Sequence, residues 1–80
     1  MSTYYIARVI VEGGYFTLRG RDGKRQCYRT LKAAKAAATR KMWDLGPVVS
    51  DCAQVIELEN GVPTYLVAMR YYNTAWKETD

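Results

Sequence analysis

Few residues in this chain could do covalent or acid–base chemistry. It has no histidine, so the commonest general base and the commonest metal ligand are both missing. Its serines are Ser2 and Ser50, and neither sits in the glycine-flanked turn that exposes a nucleophile. Cys27 and Cys52 have no histidine to activate them, and their spacing fits no metal-ligand pattern. Glu57 and Glu59 lie two apart on an extended segment and project from one face. With no third ligand and no supporting groups, they read as a solvated strand face rather than an acid–base pair. "EGGY" (12–15) is a turn without the longer phosphate-binding pattern. Neither catalysis nor a cofactor is expected, and binding is the chemistry left.

For binding the chain is better equipped. The formal net charge is +4, and it is unevenly distributed. Residues 1–41 carry ten cations and two anions, whereas residues 42–80 carry two cations and six anions. Arg19, Arg21, Lys24, Arg25 and Arg29 fall on or beside one turn. Lys32, Lys35, Arg40 and Lys41 fall on the segment that follows. Cations gathered on one part of a small domain are the footprint of a phosphate backbone or an acidic protein. The same asymmetry also fits head-to-tail self-association, or an unevenly charged solvated surface. Tyr15, Tyr71 and Tyr72 could stack on bases or pack in a β-rich core. Trp43 is the sharpest single candidate, because tryptophan is enriched at interface hot spots. Its alternative is to fold over Met42 or the C-terminal tail. The candidate contact set is therefore Arg19, Arg21, Lys24, Arg25, Arg29, Lys32, Lys35, Arg40 and Trp43.

The frame around these residues is short. Eighty residues suffice for one domain with one small core. Apolar residues make up 49% and charged residues 25%, as in ordinary globular proteins. No apolar run approaches the ~20 residues of a membrane span, and the first residues lack a charged-then-apolar leader pattern. A cytoplasmic protein is expected, without a membrane partner. Two cysteines are too few for a disulfide scaffold, and as free thiols both are expected to be small buried hydrophobes.

"TYYIARVIV" (3–11) is rich in β-branched and aromatic residues and predicts a strand. Both of its faces are largely apolar, which suits a central position. Gly13-Gly14 permits a tight reversal into a strand at 15–20, with Phe16 and Leu18 facing in and Tyr15, Thr17 and Arg19 facing out. Asp22-Gly23 is a second turn, leading to a short strand at 25–29. Thr30 can cap a helix over 31–45, which Gly46-Pro47 ends. At ~100° per residue, Leu31, Ala34, Ala38, Met42 and Leu45 form its core stripe; Lys32, Ala36, Thr39, Arg40 and Trp43 fall opposite. A hairpin over 52–72 turns at Asn60-Gly61. Pro63, lacking an amide donor, implies a sheet edge or a bulge. Residues 73–80 form a polar tail that Trp76 alone could anchor. Strands joined by tight turns are antiparallel, and a lone helix must bury its stripe on them. The fold class expected is α+β: an antiparallel sheet of four to five strands with one helix on one face.

A leading hairpin followed by "TLKAAKAAATRK", "AQVIELENGVPTYLV" and a late Trp76 resembles, in layout, many small proteins of phages and mobile elements. Small type I anti-CRISPR proteins are among them. Separately, "DGKRQCYRTLKAAKAAA" resembles the strand-to-helix passage of the AP2/integrase-type DNA-binding fold, where strands read the major groove and the helix packs behind. The first resemblance implies a non-enzymatic inhibitor of a bacterial nucleoprotein defence complex in a host cytoplasm, making contact through the basic residues and Trp43. The basic residues themselves support a second reading, a small DNA-binding accessory or regulator with Arg19, Arg21, Lys24 and Arg25 on backbone phosphates. A third reading is a structural protein that forms homodimers through the open face of its sheet.

Overall fold

The computed structural model describes residues 3–79. Five strands form one antiparallel sheet, and a single helix packs on one face of it. The elements run β1 (Thr3–Val11), β2 (Gly14–Thr17), α1 (Leu31–Leu45), β3 (Cys52–Glu59), β4 (Val62–Tyr71) and β5 (Lys77–Glu78). Spatially the order is β2-β1-β3-β4-β5. This is the two-layer α+β arrangement that the sequence implies.

Strand β1 lies between β2 and β3, as its two apolar faces require. Its register pairs Ala7 with Val55 and Val9 with Ala53, so these four side chains meet the helix. They are fully buried, together with Ala34, Ala38 and Met42 of α1. Small alanines on the stripe let the helix axis come close to the sheet. Leu31 and Leu45 extend the stripe at its two ends and are half-buried.

The helix ends are defined by local chemistry. The Ala33 amide donates to Thr30 Oγ1 at 3.1 Å, satisfying one otherwise unpaired donor. At the other end Gly46 takes φ of 84° and returns its amide to the Met42 carbonyl at 3.0 Å. In the β3–β4 turn, Asn60 and Gly61 take φ of 54° and 80°, the pair of positive values a tight hairpin needs. Pro63 sits opposite Leu58 beside a register shift, so its missing amide falls at an irregularity in the ladder.

The first half of the chain departs from expectation in two places. Strand β2 ends at Thr17 rather than residue 20, and no strand forms over 25–29. Leu18 still donates to the Ala7 carbonyl at 2.9 Å; the chain then leaves the sheet and returns at Tyr28, which exchanges two hydrogen bonds with Tyr5. Between these points the excursion satisfies much of its own backbone. Gly20 donates to Lys24 O at 2.8 Å, Gly23 to Gly20 O at 3.0 Å and Gln26 to Leu18 O at 3.1 Å. A segment that closes on itself has few backbone groups left for a ladder. Cys27 rides on this excursion and is exposed, contrary to the expectation for a free thiol; Cys52 is buried. Burial pushes the Cys52 thiol up from its ordinary value. Phe16 is also more exposed than expected, at 42%, because an open groove separates edge strand β2 from the helix.

The polar tail supplies a further strand. Lys77 and Glu78 pair with Met69 and Ala68 of β4, a pairing that brings Trp76 against α1. On the face away from the helix, Ile6, Ile56 and Leu58 form a cluster with Tyr4 and Leu66 packed against it. Arg8 donates to Gln54 Oε1 at 2.7 Å and lies over the Tyr15 ring at 4.5 Å. Much of this second apolar face is thus buried by its own neighbours within one chain.

Candidate functional site

The outer side of α1 carries side chains that the core does not use. Trp43 is 55% exposed, while its neighbour Met42 is wholly buried on the sheet. Trp43 therefore does not fold inward over Met42. Register brings it a partner from the sheet: Arg70 lies opposite Ala53, on the helix-covered face of β4. The Arg70 guanidinium sits 5.6 Å from the Trp43 ring centroid, within the range for cation–π attraction. Its Nε and Nη2 donate to the Tyr71 and Tyr72 carbonyls, both at 3.3 Å. Trp76 arrives from the tail, and its indole N–H donates to Thr39 Oγ1 at 3.0 Å. Lys35 pairs with Glu78 at 2.8 Å, tying α1 to β5.

Lys35, Trp43, Arg70 and Trp76 line a cleft of about 450 Å³ between α1 and the β4–β5 side, with Ala36 and Thr39 among its walls. A second groove of about 340 Å³ lies across the helix, against β2 and the excursion. Phe16, Tyr28, Arg19 and Lys41 line it, and the Lys41 ammonium sits 5.2 Å from the Phe16 ring centroid. Burial pushes the Tyr28 phenol above its ordinary value. Arg40 and Asp44 border both hollows and form the ridge between them. The combined surface presents Arg19, Lys35, Arg40, Lys41 and Arg70 among four aromatic rings. Asp44 is the carboxylate within the two linings.

Of the residues singled out by sequence, Lys35, Arg40 and Trp43 share the larger cleft, and Arg19 joins Arg40 in the second groove. Arg19 is partly committed to its own loop, where Nη1 donates to the Gly23 carbonyl at 3.0 Å. The others line neither hollow. Arg21 and Lys24 lie exposed on the excursion, and Arg25 reaches away to the Gly61 carbonyl at 3.1 Å. Arg29 and Lys32 are exposed near the helix N-terminus. Lys41, Arg70 and Trp76 are contributors that the candidate set omits. A signal for Arg70 was present: it is one of two cations in an otherwise acidic half.

Glu57 lines neither hollow; its carboxylate, opposite Tyr65 in the β3–β4 ladder, favours the neutral phenol and pushes it above its ordinary value. Among the described residues, no group of three or more histidine, cysteine, aspartate or glutamate side chains could hold a metal ion. Among the described residues, no helix is long and apolar enough to cross a membrane. Searches against protein-family models, curated proteins and solved structures find no match to this chain.

Proposed function

We propose that this protein is a non-enzymatic binding module that engages nucleic acid, bare or within a bacterial nucleoprotein complex, through the outer side of α1. The observation that carries the reading is the exposed Trp43 flanked by Arg40 and Arg70 in one cleft. Phosphates need cations and bases need flat apolar faces. A surface with only one of these is ordinary, and this one has both at fixed spacing. Labelled single-stranded DNA, duplex DNA and RNA, titrated by fluorescence anisotropy at two salt concentrations, test it. With four or five cations on phosphates, affinity for a single strand should fall roughly 50- to 100-fold between about 50 and 200 mM salt. Failure to bind any of the three at the lower salt rejects the proposal.

A protein-blocking role is the second reading, along the lines of the anti-CRISPR resemblance. What favours it is apolar surface at the end of the same helix: Val48 is 99% and Val49 49% exposed, close in sequence to Trp43. Retention of a purified type I surveillance complex, lost in both Trp43→Ala and Val48→Asp, supports this role. Retention unaffected by either substitution, or none at all, counts against it.

A further inference from the structure

We infer that the larger cleft is a subsite for one unstacked base of a single strand, and that Asp44 selects bases bearing an exocyclic amino group. This rests on the nucleic-acid reading above and deepens it. The cleft's volume of about 450 Å³ lies near the low end of small-ligand pockets, roughly 300–1,000 Å³. It suits a nucleotide, and a duplex keeps its bases stacked and out of reach of such a hollow. Two indole rings, Trp43 and Trp76, supply flat surface, while Arg40 and Arg70 supply charge for the flanking phosphates.

Asp44 is an exposed carboxylate that lines this cleft among its cations. It lies in the last turn of α1, where a negative charge opposes the helix dipole. It forms no ion pair among the described residues, although Arg40 lines the same hollows. An unpaired carboxylate in a basic cleft weakens attraction for phosphate. It does, however, offer an acceptor to the amino group of cytosine or adenine, which thymine lacks. Its position in the cleft and its charge thus point to reading a base edge.

The test is anisotropy titration at low salt with labelled oligo-dC, oligo-dT and a duplex, using the full chain. Wild type should bind oligo-dC at least about 10-fold more tightly than oligo-dT, the lower end of the worth of one charge-assisted hydrogen bond. Both should bind more tightly than the duplex. Asp44→Asn should abolish the dC preference by tightening dT. Trp43→Ala should weaken both single strands at least about tenfold, with Trp43→Phe restoring most of the loss. Equal affinity for single strand and duplex, or a dC preference that survives Asp44→Asn, overturns the inference and leaves the broader function standing. Absence of binding to all of these probes, and to labelled RNA as well, rejects both.

Discussion

The excursion between Arg19 and Tyr28 and the outer side of α1 are both strongly basic, and they differ in what surrounds the charge. Arg21, Lys24 and Arg25 stand on a loop held by a few internal hydrogen bonds, with no exposed ring among them. Arg40, Lys41 and Arg70 stand on a helix and a sheet joined by a buried core, each lining a hollow with an aromatic side chain. A cationic side chain already held against a ring loses less freedom on binding than one that extends into solvent. The same number of charges can therefore make a solvated surface in one place and a binding surface in another.

The firmest way to break this comparison is to loosen the seat of the helix. Met42→Ala removes a wholly buried side chain and should cost about 2–5 kcal/mol. In a domain of this size that is a fall in Tm of roughly 10 °C or more, read by circular dichroism. A loss below about 1 kcal/mol means that the helix is not firmly seated, and the contrast fails.

Trp43→Ala sharpens the comparison from the other side. Nucleic-acid affinity should fall at least about tenfold, with stability changed by no more than about 0.5 kcal/mol, as for an exposed site. Replacing Arg21 and Lys24 together by alanine should weaken binding only about 2- to 4-fold, equally for all sequences. If the double variant loses more than Trp43→Ala, the excursion is the binding surface and α1 is its support.

Thr30→Ala tests the end of the helix nearest the excursion. Losing the bond from the Ala33 amide should cost about 1 kcal/mol in denaturant unfolding and leave Trp43-dependent binding intact. The smallest effect concerns Tyr28, where the excursion rejoins the sheet. Its phenol is raised by burial from an ordinary value of 10.0, so the neutral form is favoured in the folded state. The resulting stability is fully present below about pH 10 and is lost as pH rises through the folded value. Tyr28→Phe should flatten that alkaline decline, measured by denaturant midpoints across the range. An unchanged slope shows that Tyr28 is not the group responsible.

Where local chemistry decides, the sequence was readable. Thr30, Gly46 and Asn60-Gly61 state their turns and caps through backbone preferences that need no partner. The alanine stripe of α1 follows from helical period alone, and so does the placement of Trp43 away from it. The errors lie where distant partners decide. "RQCYR" has strand composition, but its backbone bonds go to its own loop and, at Tyr28, to Tyr5. Lys77 and Glu78 have no strand propensity to speak of and pair because β4 offers a free edge. Arg70 and Trp76 reach the cleft through sheet register and the Thr39 contact, neither of which any short window contains. Among the cations, spacing in sequence did not separate Arg40 from Arg21; only the aromatic neighbours do.

The central pairing of β1 with β3 has a consequence for how the chain is made. Ile10 meets Cys52 and Thr3 meets Glu59, with β2, the excursion and α1 all lying between them in the chain. On a ribosome, β1 and β2 emerge first and can form a hairpin, yet the inner edge of β1 has no mate until β3 is synthesised. An apolar strand held open that long is a template for pairing with other chains. Arg8 within β1 and the basic excursion after β2 place like charges near that waiting edge, so nascent copies repel one another during the interval when they are most adhesive.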